Sequence, residues 1–191
     1  MLFLWAGLSL PFVVSAGDYS DREAVQQVIA AAQEAGVDPD WAGQLINAAE
    51  RQQSILDAIS RPAEKTKAWY EYRKIFLTDR RIREGATFWS AHASTLQTVA
   101  ARTGVPAELM VAIIGVETYY GRITGSYRVI DALATLAFDY PRRSPFFTGE
   151  LEQFLVLAWE SGKDALALKG SYAGAMGYGQ FMPSSYRAYA R

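Results

Sequence analysis

The chain has 191 residues, half of them hydrophobic, a composition that allows one domain with a sizeable core and makes disorder an unlikely default. Its formal net charge is −1 and its charged residues are scattered, which argues against a nucleic-acid-binding surface. The absence of cysteine excludes disulfides, thiolate nucleophiles and Cys-ligated metals, and the single histidine, His92, excludes a His-paired metal site.

The chain opens with an apolar run, Leu2 to Val14, followed by the small residues Ser15 and Ala16. The run is too short to span a bilayer, and small residues stand where signal peptidase cleaves, so we predict a secretory signal over residues 1–16. No Lys or Arg precedes the run, which departs from the usual signal pattern. With no cysteine after it there is no site for bacterial lipid attachment, so the mature protein is expected to be exported without a lipid anchor.

Helical periodicity recurs through the rest of the chain and strand signals are nearly absent, which predicts an all-α domain over residues 17–191. The predicted helices are 21–35, one opening at Asp38-Pro39, 53–59, 63–76, 79–103, 106–118, 129–137, 145–160 and one opening at Pro183. The basic residues Arg80, Arg81 and Arg83 are interpreted as a solvated helix face. Because the last helix has barely begun at Arg191, the domain is expected to be incomplete at its C-terminus.

Glu117, near the end of the predicted helix 106–118, is the carboxylate that the pattern places on an apolar face. Met110, Ile113 and Ile114 precede it by seven, four and three residues, so all four share one side of a helix. Burial there disfavours the ionised form, which raises the pKa of a carboxyl group and lets it deliver a proton near neutral pH. This is the requirement for a general acid. The alternative is a half-exposed glutamate that reaches water.

A glycine-rich segment, residues 170–182, carries interleaved aromatic residues, Tyr172, Tyr178 and Phe181. No strand precedes it, and it lacks the Gly-Lys-Ser/Thr ending of a phosphate loop, which excludes the common nucleotide-binding motifs. Its aromatic rings are either platforms for a sugar or caps on a structural connector.

Four motifs together resemble the lytic murein transglycosylase B family in their order and spacing. They are Gly115-Val116-Glu117-Thr118-Tyr119-Tyr120-Gly121, the run 131–136 (Asp-Ala-Leu-Ala-Thr-Leu), Tyr140-Pro141-Arg142-Arg143, and the glycine-rich run 170–185. The resemblance extends from about residue 20 to the last residue. The chain departs from the family in lacking the cysteine of lipidated members and in having Tyr120 where Trp is common, and the family's domain continues well past Arg191.

The resemblance implies an all-α, lysozyme-like transglycosylase fold and a periplasmic enzyme that cleaves the β-1,4 bond between N-acetylmuramic acid and N-acetylglucosamine, with products that end in a 1,6-anhydro ring. It implies Glu117 as the single catalytic acid/base. The substrate-binding candidates are Tyr72, Tyr119, Arg142, Arg143, Ser171, Tyr178 and Gln180, with the two arginines directed at the carboxylates of the peptide stem. No metal or other cofactor is predicted for these residues; calcium stays open, because some members of the family hold it in a loop beyond the point where this chain ends. The implied partners are peptidoglycan glycan strands, with cell-wall synthesis or division proteins as further candidates, and a monomer is expected.

Single-carboxylate chemistry is consistent with this function. Glycoside hydrolysis ordinarily uses two carboxyl groups, whereas intramolecular capture by a sugar hydroxyl needs one that first donates and then accepts a proton. Two alternatives remain. One is a hydrolytic muramidase with Asp131 as the second carboxylate, although Asp131 is also suited to be a helix N-cap. The other is a peptidoglycan-binding fragment without catalytic activity.

Overall fold

The computed structural model describes residues 18–19, 22–61 and 68–190. The predicted signal, residues 1–16, the predicted helix start at residue 63 and the terminal Arg191 lie outside these ranges. Within them no single helix has the length and apolar character needed to cross a membrane. Taken together, the helices Ala93–Thr103 and Ala107–Thr118 meet the requirement by length and composition, but they are bent by 115° relative to each other.

The described residues form ten α-helices, which confirms the predicted all-α class. They are α1 (Glu23–Glu34), α2 (Pro39–Asn47), α3 (Gln53–Ser60), α4 (Trp69–Tyr72), α5 (Asp79–Ala91), α6 (Ala93–Thr103), α7 (Ala107–Thr118), α8 (Val129–Asp139), α9 (Ser144–Ser161) and α10 (Pro183–Tyr189). Short 3₁₀ turns follow α4 and α8. As predicted, Asp38 caps α2, and its carboxylate accepts the Trp41 amide at 2.8 Å.

The main hydrophobic core surrounds α8, whose residues from Val129 to Ala137 are all buried. Helices α1, α2, α3 and α9 pack around it. A helix enclosed on every side has to be apolar on nearly all of its surface, and α8 satisfies this except at Asp131 and Thr135. The Thr135 hydroxyl accepts the Gln52 amide at 3.0 Å, so its burial leaves no unpaired polar group.

Helices α5, α6 and α7 form a second group that packs outside this core. The single helix predicted over 79–103 is wrong, because the chain breaks at His92 with φ −116° and ψ 17°. The His92 ring lies 4.4 Å from the Phe88 ring, and the turn lets α6 fold back onto α7. The break depends on this tertiary packing, since neither Gly nor Pro marks it. The predicted helix 63–76 is likewise shorter, ending as α4 and a 3₁₀ turn at Arg73–Ile75.

Two short strands, β1 (Tyr127–Arg128) and β2 (Lys169–Gly170), pair antiparallel, and β2 leads into the glycine-rich segment. Gly125 approaches the Gly170 carbonyl so closely, at φ 98°, that any side chain there would collide with the backbone. The segment then folds back on itself, with Met176 bridged to both Gly170 and Phe181. The fold therefore joins the glycine-rich segment to the connection between α7 and α8.

Candidate active site

Glu117 lies in the last turn of α7 with an exposed side chain. The predicted burial of this residue is wrong. The apolar stripe exists, but it faces outward: Ile113, one turn before Glu117, is 48% exposed, and Met110 and Ile114 are only partly covered. Glu117 is thus flanked by apolar side chains on a surface that the described residues leave open.

The buried face of α7 is formed by Val111, Gly115 and Thr118, spaced four and three residues apart. Gly115, which has no side chain, lets the Tyr120 ring and α5 approach this face closely. Because α7 is apolar on nearly every side, hydrophobic periodicity could not show which face packs inward. The fit of the Tyr120 ring against Gly115 decided which face is buried.

Three consecutive residues after α7 have positive φ: Tyr119 at 51°, Tyr120 at 61° and Gly121 at 81°. Such angles are uncommon for side chains other than glycine, and contacts elsewhere must support them. The Tyr120 ring lies between the glycines of two helices: a Cβ would stand 2.9 Å from its Cζ at Gly85 and 2.6 Å from its Cε1 at Gly115. Its hydroxyl donates to the Arg81 carbonyl at 3.0 Å.

Thr118, buried beside Glu117, connects α7 to the glycine-rich segment. Its Oγ1 donates to the Tyr178 carbonyl at 3.0 Å and accepts the Gly121 amide at 3.0 Å. The Tyr178 ring packs on the backbone of Gly121 and remains 51% exposed. The structure therefore brings the end of α7 and the glycine-rich segment together, as the predicted site requires.

Ser171 and Gln180 both form side-chain hydrogen bonds with the backbone, Ser171 as an acceptor and Gln180 as a donor. Ser171 Oγ accepts the amides of Ala173 and Ala175 at 3.3 and 3.1 Å, which leaves its hydroxyl hydrogen free to donate. Gln180 Nε2 donates to the carbonyls of Thr124 and Gly177 at 3.2 and 3.0 Å. Its Oε1 is therefore left to accept. The segment thus presents one hydroxyl donor and one amide acceptor.

Phe76 and Arg81 lie between the rings of Tyr72 and Tyr119. The Tyr72 ring, 45% exposed on α4, lies 5.3 Å from the Phe76 ring. The Arg81 guanidinium lies 5.3 Å from the centre of the Phe76 ring and 4.4 Å from that of Tyr119. Tyr72 therefore offers an open ring, whereas Tyr119 is engaged by its protein neighbours.

Arg81 also completes the end of α7. The Tyr119 amide donates to Ile114 rather than to Gly115, as expected where a helix closes with a left-handed residue. Arg81 Nη1 then donates to the Gly115 carbonyl at 2.8 Å, which places a cation at the negative end of the helix. Arg81 is thus a packing residue, although sequence reasoning assigned it to a solvated face.

Glu84 is a second residue that sequence reasoning missed. Its Oε1 pairs with Arg122 at 2.8 Å and with Arg80 at 3.1 Å. The Tyr119 hydroxyl is the main cause that lowers the pKa of Glu84 to about 2, followed by the two arginines, while partial burial acts in the opposite direction. Arg81, Glu84, Gly85 and Phe88 recur at i, i+3, i+4 and i+7, a spacing that indicates one packed face of α5.

Arg142 and Arg143 lie in the exposed 3₁₀ turn between α8 and α9. The Arg143 guanidinium lies 4.4 Å from the centre of the Phe146 ring. Within the described ranges neither arginine forms an ion pair or a hydrogen bond that joins it to the surroundings of Glu117. Both residues are exposed, and the Arg143 guanidinium also packs on Phe146.

Asp131, the alternative second carboxylate, is 3% exposed and fully engaged. The Arg128 guanidinium donates to its two oxygens at 2.7 and 2.8 Å, and the Glu50 amide adds a bond at 2.9 Å. The interpretation of Asp131 as a helix N-cap is wrong, because Arg128 occupies that position and Asp131 lies in the first turn. Asp131 is a buried ion-pair partner whose carboxylate has no free approach.

Comparison with known proteins gives a consistent result. Residues 20–191 match the family described as the transglycosylase SLT domain. The chain is 44% identical over 184 residues to the membrane-bound lytic murein transglycosylase B of Escherichia coli (strain K12), covering 91% of this chain and 51% of that protein. The chain therefore spans about half the length of this curated relative.

Two solved structures from Pseudomonas aeruginosa share the fold. Catenated lytic transglycosylase SltB1 has a TM-score of 0.88 and 54% identity, covering 91% of this chain and 58% of that chain. SltB3, solved in complex with NAG-anhNAM-pentapeptide, has a TM-score of 0.79 and 31% identity, covering 89% and 46% respectively. These matches confirm the predicted lysozyme-like transglycosylase fold.

Proposed function

Because this chain belongs to the transglycosylase SLT domain family, we propose that it cleaves the β-1,4 bond between N-acetylmuramic acid and N-acetylglucosamine in peptidoglycan, with Glu117 as the only acid/base. The observation that carries the single-glutamate mechanism is the accessibility of Glu117, at the C-terminal end of α7, compared with that of Glu84 and Asp131. Glu117 is exposed, whereas Glu84 is held by arginines and Asp131 is enclosed by Arg128.

In the proposed reaction, protonated Glu117 donates its proton to the glycosidic oxygen as the bond from that oxygen to C1 of the muramoyl residue breaks. The C6 hydroxyl of the same residue then bonds to C1, and its proton passes to the Glu117 carboxylate. One bond forms for each bond broken, and no water is consumed. The product ends in a 1,6-anhydro ring, and Glu117 regains its starting proton. A relative bound to NAG-anhNAM-pentapeptide supports this product class.

The free hydrogen-bonding groups of the glycine-rich segment suit substrate orientation. The Ser171 hydroxyl is available to donate to a carbonyl such as that of an acetamido group, and Gln180 Oε1 is available to accept from a sugar hydroxyl. Neither is a nucleophile, since no histidine lies in the described hydrogen-bond network to activate Ser171. The exposed rings of Tyr72 and Tyr178 offer apolar faces to sugar rings.

The catalytic glutamate begins in contact with water and is desolvated when the glycan binds. Exposed apolar neighbours at Ile113 and Val116 lie on the same open surface, so a bound sugar would exclude water from around Glu117. Arg142 and Arg143, free of ion pairs within the described residues, are proposed to bind carboxylates of the peptide stem. Tyr119 contributes by supporting the turn after α7.

Purified sacculi digested with the protein test this function through the masses of the released muropeptides. Transglycosylation gives anhydro products, which weigh one water less than the hydrolytic products expected of a muramidase. Sacculi that sediment the protein without releasing muropeptides would instead indicate a binding fragment. Hydrolytic products, or binding to sacculi without release of muropeptides, would contradict the proposal.

Glu117→Gln tests the role of the glutamate. The amide keeps the size of the side chain but cannot donate the proton, so cleavage is expected to fall on the order of a hundredfold or more. Because Glu117 is exposed, thermal unfolding should be unchanged. The matched control is Glu108→Gln, an exposed residue in the first turn of the same helix, which should keep full activity. Cleavage by the Glu117→Gln variant at the rate of the control would exclude Glu117 as the acid.

A further inference from the structure

Glu84 occupies a mostly buried position under the turn that follows Glu117. Its side chain is 19% exposed, and its Oε1 pairs with Arg122 in the turn and with Arg80 one helical turn earlier on α5. Its other oxygen, Oε2, is buried and accepts no regular hydrogen bond within the described part of the chain. A buried carboxylate oxygen without a hydrogen-bond partner is costly, and solvation at the surface does not explain why Glu84 occupies this position.

Arg122 connects Glu84 to the turn, because it pairs with Glu84 Oε1 at 2.8 Å and its guanidinium lies against the Tyr119 ring. Interaction with Glu84 is the main cause that raises the pKa of the Tyr119 phenol, and the reciprocal interaction lowers that of Glu84. Within the described part of the chain no hydrogen bond joins the Tyr119 hydroxyl to Glu84, and Oε2 has no hydrogen-bond partner. The Tyr119 ring is held from other directions by guanidinium groups, with Arg81 at 4.4 Å and Arg122 at 5.4 Å from its centre.

Tyr119 needs this support because its backbone is left-handed, with φ 51° and ψ 52°. A non-glycine residue in this region costs of order 1 kcal/mol or more, and here Tyr120 adds a second such residue. Tyr119 ends α7 only two residues after Glu117. A change in its conformation would therefore be transmitted to the last helical turn, which sets the direction of the Glu117 side chain.

Resting on the function proposed above, we propose that Glu84 is a positioning residue for Glu117, acting through Tyr119. Glu84 holds Arg122 beside α5, Arg122 lies against the Tyr119 ring, and the turn is thereby held in the conformation that ends α7 after Thr118. Glu84 itself touches no substrate, because its one unpaired oxygen is buried.

The test combines Glu84→Gln and Tyr119→Phe in a double-mutant cycle. The first variant keeps the size of the side chain and removes its charge; the second removes only the hydroxyl. Each is expected to lower kcat roughly tenfold or more and to leave KM within about twofold, since small misplacement of a catalytic group affects the chemical step. If both act on Glu117 by one route, the double variant loses no more than the worse single variant. Glu108→Gln again serves as the control.

Losses that multiply in the double variant, or that appear mainly in KM, would overturn the inference. A fall in melting temperature that accounts for the lost activity in both single variants would also overturn it, because it would show a purely structural role.

Carbon-13 NMR provides a readout that does not depend on cleavage. In the unmodified protein the Tyr119 phenol should ionise at higher pH than in Glu84→Gln, and the backbone and carboxyl resonances of Glu117 should shift in both single variants. Glu117 resonances that stay in place would refute the positioning role even if the protein is active. An inactive protein whose Glu117 resonances shift as expected would refute the proposed function and retain the link between Glu84, Tyr119 and Glu117.

Discussion

Gly115→Ala tests the contact that aligns α7 with α5. A Cβ at this position would stand 2.6 Å from Tyr120 Cε1 and 2.8 Å from its Cζ. The ring cannot move away freely, because Gly85 contacts it as well and its hydroxyl is bonded to the Arg81 carbonyl. Overpacking of this kind costs about 1–3 kcal/mol.

The same substitution gains helix propensity, about 1 kcal/mol for Gly to Ala in a helix interior. We therefore expect a net loss of up to about 2 kcal/mol in the free energy of unfolding. For a chain of this size that corresponds to a melting temperature lower by up to about 8 °C. Cleavage should also decrease, since Tyr120 would move the turn that follows Glu117.

Gly149→Ala is the matched control for the gain in helix propensity. Gly149 lies inside α9, and a Cβ there would meet nothing within 4 Å. Its melting temperature should rise by roughly 1–4 °C, because only the propensity gain of about 0.5–1 kcal/mol remains. Equal stabilisation by Gly115→Ala would show that the Tyr120 ring does not occupy the space between α5 and α7. Replacing Tyr120 by Ala should in turn remove the cost of Gly115→Ala.

Two further predictions concern buried hydroxyl groups. Thr118→Val keeps the shape of the side chain but removes the bonds to the Tyr178 carbonyl and the Gly121 amide, so stability should fall by about 1–3 kcal/mol in chemical denaturation; an unchanged midpoint would contradict the link to the glycine-rich segment. Burial raises the pKa of Tyr19 to about 12, so its contribution is complete below the unfolded value near 10 and is lost as pH rises toward 12. Tyr19→Phe should therefore flatten the decrease in unfolding free energy over that interval, and equal slopes for the two proteins would contradict the burial of the Tyr19 hydroxyl.

The enclosure of Asp131 by Arg128 separates the two catalytic alternatives. A hydrolytic mechanism needs a second carboxylate that can reach a water molecule opposite the sugar. Asp131 has both oxygens engaged and lies in the main core with α8. The ion pair explains why this acidic residue is tolerated in a buried helix, and it leaves Glu117 as the accessible carboxylate at the end of α7.

Helix positions were predicted well where local signals were strong. The predicted helix 106–118 corresponds to α7, 53–59 to α3 and 129–137 to α8, because apolar spacing and flanking Pro or turn residues act within a few positions. The break at His92 was missed because no local residue requires it. The break results from the packing of α6 against α7. This is a contact between two separate helices, which a local sequence pattern does not show.

The sequence by itself determined the helical class, the family, and the position of Glu117 in the last turn of α7, because these follow from local patterns and from motifs in order. Only the tertiary structure decided which face of α7 is buried and which residues support the turn after it. Seven apolar residues cover nearly all of that helix between Leu109 and Val116, so periodicity favours no face. The choice depends on close fit: Gly115 and Gly85 admit the Tyr120 ring between two helices, and this packing turns Glu117 toward solvent.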